Sequence, residues 1–247
     1  MIRAAIFDMG NTLLRFERPG TGTWREVEER GIHALYRYLL EEGHPIQAQE
    51  DVFVEAMFAR LAMGWEQSTG GHINLRAAEW IAAGVADDGL MLDEQALIAA
   101  VHAYARPMQH GITVVPGAKA ALAELRRRGV RIGLISNTIW PAELHLADLE
   151  QLGLREYLEY TIFSGDAGIW KPTPQIFERA LTGLGVAPHE AIFIGDNPRE
   201  DILGAQAIGM RAILVRGREF ALGDVHPAAI IEDQTELLAA IEKLPNP

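Results

Sequence analysis

Ile6-Phe7-Asp8-Met9-Gly10-Asn11-Thr12 is the stretch that decides the fold of this 247-residue chain. It closes a short apolar run with an aspartate, and a polar turn follows. Short apolar runs of this kind indicate buried strands, whereas longer amphipathic segments indicate helices. Three later segments carry the other polar residues that bear on the function of the chain. They are Ile135-Ser136-Asn137, Lys171-Pro172 and Gly195-Asp196-Asn197-Pro198-Arg199-Glu200-Asp201.

Beyond residue 112, short apolar runs alternate with segments of helical periodicity. This alternation predicts an α/β fold, in which helices cover both faces of a Rossmann-like parallel sheet. The predicted strands are Val130–Ile135, Tyr160–Phe163, Ala191–Ile194 and Ala212–Val215. The predicted helices are Ala118–Arg128, Pro174–Leu184 and Arg199–Ile208.

The segment between the first strand and this region is different, because its patterns are almost all helical. We therefore predict an all-helical cap domain over residues 14–112, inserted into an α/β core domain of residues 1–13 and 113–247. The predicted cap helices are Trp24–Leu40, Asp51–Met63, Leu75–Ala83 and Asp93–Ala105.

Two parts of the cap are candidates for substrate contact. The stretch Gly64–His72 is rich in glycine and small polar residues and predicts a surface loop, from which Trp65 and His72 could face a ligand. The residues that follow the first strand could touch the far end of a substrate. These are Arg15, Arg18, Trp24 and Arg25.

Polar residues directly follow three of the predicted strands. Asp8, Ser136 and Asp196 each come just after the last apolar residue of a run. In parallel α/β sheets, ligands bind at the carboxyl ends of the strands. We therefore expect these three side chains to meet at one edge of the sheet.

Composition excludes several classes of protein. The chain has 49% hydrophobic and 23% charged residues, as globular proteins do. No apolar run approaches the roughly 18 residues of a membrane helix, so we expect a cytoplasmic protein without a membrane partner. Cysteine is absent, which excludes disulfides, thiolate metal sites and a cysteine nucleophile. The formal net charge of −12 argues against general nucleic-acid binding.

The polar groups of the four segments suit phosphoryl transfer. An aspartate such as Asp8 can attack phosphorus and form an aspartyl-phosphate. A divalent cation held by Asp8 and Asp196 would neutralise the developing charge. Lys171 can neutralise one phosphoryl oxygen, and Ser136 can donate a hydrogen bond to another. Each segment alone is also typical of an ordinary turn or helix start, so the argument depends on their combination.

In this order, the four segments resemble the four motifs of the haloacid dehalogenase superfamily, most of whose members are magnesium-dependent phosphatases. The resemblance covers nearly the whole chain, because the cap lies between the first and second motifs. It implies hydrolysis of a small phosphorylated metabolite, with Mg²⁺ as cofactor. The implied catalytic residues are Asp8, the nucleophile, and Lys171. The implied phosphate-binding residues are Ser136, Asn137 and Lys171. The implied metal site comprises Asp8, the Gly10 carbonyl, Asp196 and Asp201, the last of which orients the waters of the metal or Lys171.

Gly10 departs from the pattern of the family. Its phosphatases usually carry a second aspartate there, which protonates the leaving alcohol, and such general acid–base help is worth about 10²–10⁴-fold. Three interpretations follow. The protein is a phosphatase that is slower on alkyl esters or suited to acyl and aryl phosphates. It is a dehalogenase-like hydrolase that attacks carbon, although that branch lacks the metal-binding aspartate, here Asp196. Or it is a non-catalytic or weakly active member that binds phosphorylated ligands.

Overall fold

The computed structural model describes residues 2–16, 23–71, 73–216 and 222–245, which form two compact units. The α/β unit comprises Met1–Arg15, Thr113–Thr138 and Ala142–Pro247. The helical unit comprises Phe16–Ile112 and Ile139–Pro141. The second segment of the helical unit is a detail that a division at residues 13 and 112 does not predict. One hydrogen bond ties Ile139–Pro141 to the rest of the helical unit: the amide of Ala77 donates to the carbonyl of Ile139 at 2.8 Å.

The α/β prediction is confirmed by a parallel sheet with helices packed against it. The described strands are β1 (Ala4–Phe7), β2 (Leu14–Arg15), β3 (Thr113–Val114), β4 (Arg131–Ser136), β5 (Tyr160–Phe163), β6 (Ala191–Gly195), β7 (Arg211–Val215) and β8 (Ala229–Ile231). Six of them form one parallel sheet in the order β5-β4-β1-β6-β7-β8. The other two, β2 and β3, form a short antiparallel pair.

The described helices match most of the predicted helical segments. They are α1 (Trp24–Glu41), α2 (Glu50–Thr69), α3 (Ala77–Ala86), α4 (Glu94–Gln109), α5 (Ala118–Arg127), α6 (Ala142–Gln151), α7 (Ser164–Ala167), α8 (Pro174–Leu184), α9 (Gly204–Ala207) and α10 (Leu237–Lys243). Helices α1–α4 belong to the helical unit and α5–α10 to the α/β unit. No helix in the described ranges is both long and apolar enough to span a bilayer.

β1 positions Asp8, the candidate nucleophile, which directly follows its last residue. All four of its residues are completely buried, as expected of a parallel strand covered on both faces. Its last residue, Phe7, lies opposite Leu134 of β4 and Ile194 of β6. The chain leaves β1 toward β4 but leaves β6 toward β7, so the strand order reverses between β1 and β6. A reversal of this kind opens a crevice at the carboxyl edge, where ligands bind in such sheets.

The predicted helix Arg199–Ile208 is only partly right. Pro198–Leu203 forms a wider π-helical turn, and only then does the chain continue as α9. The side chain of Asn197 caps this turn, because its Oδ1 accepts from the amides of Arg199 and Glu200 at 3.0 and 3.2 Å. Apolar periodicity does not distinguish a π-helical turn from an α-helical one, and such turns occur frequently at functional sites.

The first helix of the helical unit is packed tightly against the fourth. Thr23 and Glu26 form a capping box at the start of α1, which satisfies two amides of the first turn. Farther along, a Cβ atom on Gly31 would lie 2.6 Å from the carbonyl oxygen of Tyr104 in α4. A glycine is therefore required where the two helices meet.

The prediction of a surface loop over Gly64–His72 is wrong as far as Thr69, because α2 continues to that residue. Gly64 and Ser68 are buried, and Ser68 Oγ accepts a hydrogen bond from the amide of Leu75 at 3.1 Å. Tertiary packing therefore overrides the turn preference of glycine and serine. Trp65 packs against Trp24, with 5.9 Å between ring centroids. The candidates His72 and Arg18 lie outside the described residues.

Candidate active site

Three buried carboxylates converge at the carboxyl edge of the sheet. Asp8 follows β1, Asp196 follows β6, and Asp201 lies in the π-helical turn. Each offers one oxygen atom, and these atoms all lie within 4.8 Å of one another. The exposed fractions of the three residues are only 7%, 7% and 1%. Oxygen ligands at this density, with an excess of negative charge, fit a hard divalent cation.

Lys171 bridges two of these carboxylates. Its Nζ donates to Asp8 Oδ1 and to Asp201 Oδ1, both at 2.7 Å, and the residue is 1% exposed. Its ammonium also lies 5.5 Å from the centroid of the Phe193 ring. Asp201 accepts a second hydrogen bond, at Oδ2, from the amide of Asn197 at 2.9 Å. Since both of its oxygens are engaged, Asp201 holds Lys171 in place.

The charges of this cluster do not balance within the protein. Burial lowers the pKa of Lys171, but the charges of Asp201 and Asp8 outweigh it and raise that pKa above its usual value. Burial raises the pKa of Asp201, which the Lys171 ammonium opposes and the charges of Asp8 and Asp196 reinforce. Lys171 therefore stays protonated. One ammonium against three carboxyl groups favours binding of an additional cation.

Close packing at the end of β6 fixes the position of Asp201. A Cβ atom on Gly195 would lie 2.6 Å from the Cβ of Asp201 and would meet its carboxylate even more closely. Any larger residue would therefore push Asp201 away from Lys171. This requirement explains the glycine that immediately precedes Asp196.

Asn137 holds the backbone of Lys171. Its Oδ1 accepts from the Lys171 amide at 2.8 Å, and its Nδ2 donates to the Lys171 carbonyl at 2.9 Å. The same Nδ2 lies 2.8 Å from Glu200 Oε2. Ser136, the last residue of β4, is 3% exposed, and no described residue forms a hydrogen bond to its hydroxyl. Sequence reasoning missed Glu200, since only the fold brings it to Asn137.

Asn11 is a second residue that sequence reasoning missed. Its backbone φ of 57° lies in the left-handed region, which asparagine tolerates better than most residues. Its Nδ2 donates to Asp196 Oδ2 at 3.0 Å, which joins the loop after β1 to the end of β6. In the sequence, the pair Gly10-Asn11 shortly after the first strand favours a turn, and this was the signal that could have identified Asn11.

A buried histidine supports the loop that follows β4. His145 of α6 is 3% exposed, and its Nε2 lies 2.7 Å from Thr138 Oγ1. Its ring stacks on Phe163, with 5.2 Å between centroids. Ser164 Oγ completes this support, because it accepts from the Thr138 amide at 2.8 Å and donates to the Thr138 carbonyl at 2.9 Å. Asn137 precedes Thr138, so these contacts help to position it.

His145 should make the stability of the protein depend on pH. Burial lowers its pKa from 6.5 to about 3. As the pH falls below 6.5, the unfolded chain gains a proton on this residue and the folded chain does not. Stability is therefore full above pH 6.5 and is lost as the pH falls toward 3. By pH 5 the loss from this group is about 2 kcal/mol.

Urea unfolding of the wild type and of His145→Gln at pH 7 and pH 5 measures this loss. The decrease in the free energy of unfolding should be about 2 kcal/mol smaller in the variant. His189→Gln removes an exposed histidine and should behave as the wild type does. Equal decreases in all three proteins would contradict the assignment to His145.

Known proteins share both the sequence pattern and the fold. The family model of haloacid dehalogenase-like hydrolases matches residues 2–209. A phosphoserine phosphatase of Thermus thermophilus is 39% identical over 126 residues, which are 51% of this chain and 50% of that protein. A phosphoglycolate phosphatase of Yersinia pseudotuberculosis is 36% identical over 57% of this chain and 60% of that protein. The match thus spans about half the length of these curated relatives.

Solved structures extend the similarity to the whole chain. A 2-haloacid dehalogenase of Pseudomonas syringae pv. Tomato superposes with a TM-score of 0.71 and 25% identity, over 99% of this chain and 100% of that one. A HAD phosphatase of Thermococcus onnurineus has a TM-score of 0.67 and 22% identity over the full length of both chains, which supports the fold alone. Since the family model covers most of the sequence, the chain belongs to the haloacid dehalogenase-like hydrolases.

Proposed function

We propose that this protein is a magnesium-dependent phosphatase that hydrolyses a small phosphorylated metabolite through an aspartyl-phosphate on Asp8. The observation that carries the proposal is the buried carboxylate of Asp8 at the end of the central strand, 2.7 Å from the ammonium of Lys171. The names of the matched relatives, phosphoserine phosphatase and phosphoglycolate phosphatase, support the class of reaction.

Asp8, Lys171 and Ser136 cover nucleophilic attack and charge stabilisation, and with Gly10 in place of an acid the proton for an alkoxide leaving group comes from water, which also takes up the proton of the attacking water. The carboxylate of Asp8 attacks phosphorus, and the bond from phosphorus to the leaving oxygen breaks. Water then attacks the aspartyl-phosphate, which releases phosphate and restores the carboxylate. Lys171 neutralises charge on the phosphoryl oxygens, and Ser136 donates a hydrogen bond to one of them.

The cluster of carboxylates fits the proposed cofactor. Asp8 and Asp196 would hold Mg²⁺ together with the carbonyl of Gly10, and Asp201 would act through bound water and through Lys171. When bound, Mg²⁺ supplies charge neutralisation and orients the phosphoryl group. The side chain of Asn137 already binds the backbone amide and carbonyl of Lys171 and the side-chain carboxylate of Glu200. We therefore assign Asn137 to phosphate binding only indirectly, through Lys171.

A dehalogenase-like reaction is the second candidate, favoured by the similarity to a solved 2-haloacid dehalogenase. In that reaction the aspartate attacks carbon and halide leaves, so no metal is required. The presence of Asp196 within the carboxylate cluster favours phosphoryl transfer instead. A purely phospho-ligand-binding role would leave Asp8 and its contact with Lys171 without a purpose.

Release of phosphate or halide under defined metal conditions tests the proposal. The substrates would be acetyl phosphate, p-nitrophenyl phosphate, propyl phosphate and 2-chloropropionate, each with Mg²⁺ and with EDTA. We expect release of phosphate that requires Mg²⁺ and no release of chloride. Chloride release that persists in EDTA would establish the dehalogenase-like reaction. No turnover of any substrate would contradict both hydrolytic candidates.

Gly10→Asp restores the aspartate that phosphatases of the family usually have at this position, and it tests how the protein hydrolyses phosphate esters without that carboxylate. An alkoxide is a poor leaving group and needs a proton, whereas acetate does not. We expect the substitution to raise kcat/KM for propyl phosphate by at least about tenfold, since general acid help is worth about 10²–10⁴-fold. Hydrolysis of acetyl phosphate should change much less. Gly10→Asn provides a control of similar size without the acid, and an equal gain in that variant would contradict protonation as the cause.

A further inference from the structure

A buried glutamine near the end of the chain reaches the loop that carries the candidate nucleophile. Gln234 is 1% exposed, and its Nε2 donates to the carbonyl oxygen of Thr12 at 2.8 Å, across 222 residues of sequence. Both residues belong to the α/β unit. Thr12 is completely buried and is the last residue of the nucleophile loop, as we call residues 8–12.

The nucleophile loop carries three groups of the candidate active site. Asp8 is the candidate nucleophile, and the carbonyl of Gly10 belongs to the proposed metal site. Asn11 donates to Asp196 Oδ2 at 3.0 Å. Since these three residues of the loop lie within four positions of one another, a shift of the loop moves all of them.

The two ends of the nucleophile loop are held differently. At its start, the amide of Asp8 donates to the carbonyl of Ile194 at 2.8 Å, so the sheet fixes this end. At its far end, the hydroxyl of Thr12 has no hydrogen-bond partner among the described residues. The amide of Gln234 is the side-chain donor that anchors this end, through the carbonyl of Thr12.

The backbone around Gln234 is itself fixed. It lies in the turn after β8, where the amide of Thr235 donates to Asp233 Oδ1 at 2.9 Å and the amide of Leu237 donates to the carbonyl of Gln234 at 3.3 Å. Gly117, with a φ of 78°, packs against this turn. A Cβ atom on Gly117 would lie 2.7 Å from the carbonyl carbon of Gln234. A donor on so constrained a backbone holds its acceptor in one place.

Stability alone does not account for an amide at this position. In the described parts of the chain, Gln234 Oε1 has no hydrogen-bond partner, and a buried polar atom without a partner costs free energy. A leucine of similar volume would avoid this cost. What the amide adds is the bond to Thr12, so its role lies in what that bond holds.

We propose that Gln234 is a positioning residue of the active site. By holding the carbonyl of Thr12, it fixes the nucleophile loop in the arrangement that attacks phosphorus and binds Mg²⁺. Gln234 touches neither substrate nor metal and acts through Thr12. Its effect on turnover rests on the proposed phosphatase function, whereas its effects on the loop and on metal binding do not.

Hydrogen exchange tests the effect on the loop without catalysis. The amides of Leu13 and Leu14 form the hydrogen bonds that close the nucleophile loop. In Gln234→Leu, we expect these two amides to exchange at least about tenfold faster than in the wild type, because the loop opens locally. The amides of β7, in the same sheet, are the reference and should exchange as before. A general loss of stability would accelerate exchange in β7 as well.

Titration calorimetry with Mg²⁺ alone measures metal binding. We expect Gln234→Leu to bind Mg²⁺ at least about tenfold more weakly, because the loop carries two of the proposed ligands. At saturating Mg²⁺, kcat for acetyl phosphate should fall at least about tenfold, since a displacement of about 1 Å can lower a rate by about 10²-fold. KM should change little, because Lys171 and Ser136 lie on other segments. Gln206→Leu is the matched control, as Gln206 Nε2 donates to the carbonyl of His226 at 2.8 Å, outside the loop.

Exchange, Mg²⁺ affinity and kcat of wild-type size in Gln234→Leu would overturn the proposal, as would equal changes in Gln206→Leu or faster exchange throughout β7. Gln234→Asn, whose amide falls one carbon short of Thr12, is the second variant and should show the same changes where Gln234→Leu does not fold. Loss of folding in both would make Gln234 a residue of overall stability and would also overturn the proposal. If the wild type hydrolyses no phosphate ester, the proposed function is refuted, and hydrogen exchange with Mg²⁺ titration still decides the role of Gln234.

Discussion

Asp8→Asn is expected to lower the turnover of phosphate esters by at least about 10³-fold, with the fold intact. The amide of asparagine is not a nucleophile toward phosphorus, so no covalent intermediate forms. The substitution keeps the shape of the side chain in a position that is 7% exposed, and Lys171 retains its contact with Asp201. Circular dichroism and thermal unfolding should therefore resemble those of the wild type.

Phosphate release from acetyl phosphate and p-nitrophenyl phosphate measures this loss. Asp224→Asn makes the same chemical change at an exposed position and serves as the control. Rapid quenching of the wild type during turnover should also trap phosphate covalently bound to protein, and the variant should show none. Turnover close to that of the wild type in Asp8→Asn would refute an Asp8 nucleophile.

Lys171→Met is expected to reduce both activity and stability. The substitution keeps an unbranched side chain of similar length but leaves three carboxyl groups close together without their ammonium. Breaking a buried ion pair by removal of one partner typically costs about 3–5 kcal/mol. We expect a loss of that size in the free energy of unfolding. We also expect kcat/KM to fall by at least about 10²-fold, because one oxyanion-stabilising donor is worth about 10²–10³-fold.

Magnesium should partly compensate for this loss of stability. A divalent cation supplies the positive charge that the variant lacks, so Mg²⁺ should raise the melting temperature of Lys171→Met more than that of the wild type. Lys119→Met alters an exposed lysine and should change neither stability nor activity appreciably. A variant at Lys171 with wild-type stability and activity would contradict the central position that the structure gives to this residue.

The fold was largely predictable from the sequence because its signals are local. The apolar run before Asp8 and the alternation of short strands with helices predict a parallel sheet, and the structure confirms it. The rule that ligands bind at the carboxyl ends of parallel strands then locates the edge to which Asp8 and Asp196 belong. Neither step requires knowledge of contacts between distant side chains.

Other local signals were misleading because packing outweighs them. Gly64 and Ser68 favour a loop in isolation, yet both are buried within α2. The side chain of Leu75 packs directly on Gly64, where an added Cβ atom would lie 2.8 Å from Leu75 Cδ1 and would make that side chain shift. Glycine in a helix costs about 1 kcal/mol, and burial of this part of α2 offsets that cost.

From the order of its residues, the chain already specified a parallel sheet, an inserted helical region and the strand ends at which Asp8 and Asp196 lie. It did not specify that Lys171 bridges Asp8 and Asp201, or that Gln234 binds the carbonyl of Thr12 across 222 residues of sequence. Periodicity reports which face of each element is buried. Contacts between side chains also depend on how distant elements pack, and that information is absent from any short stretch of sequence.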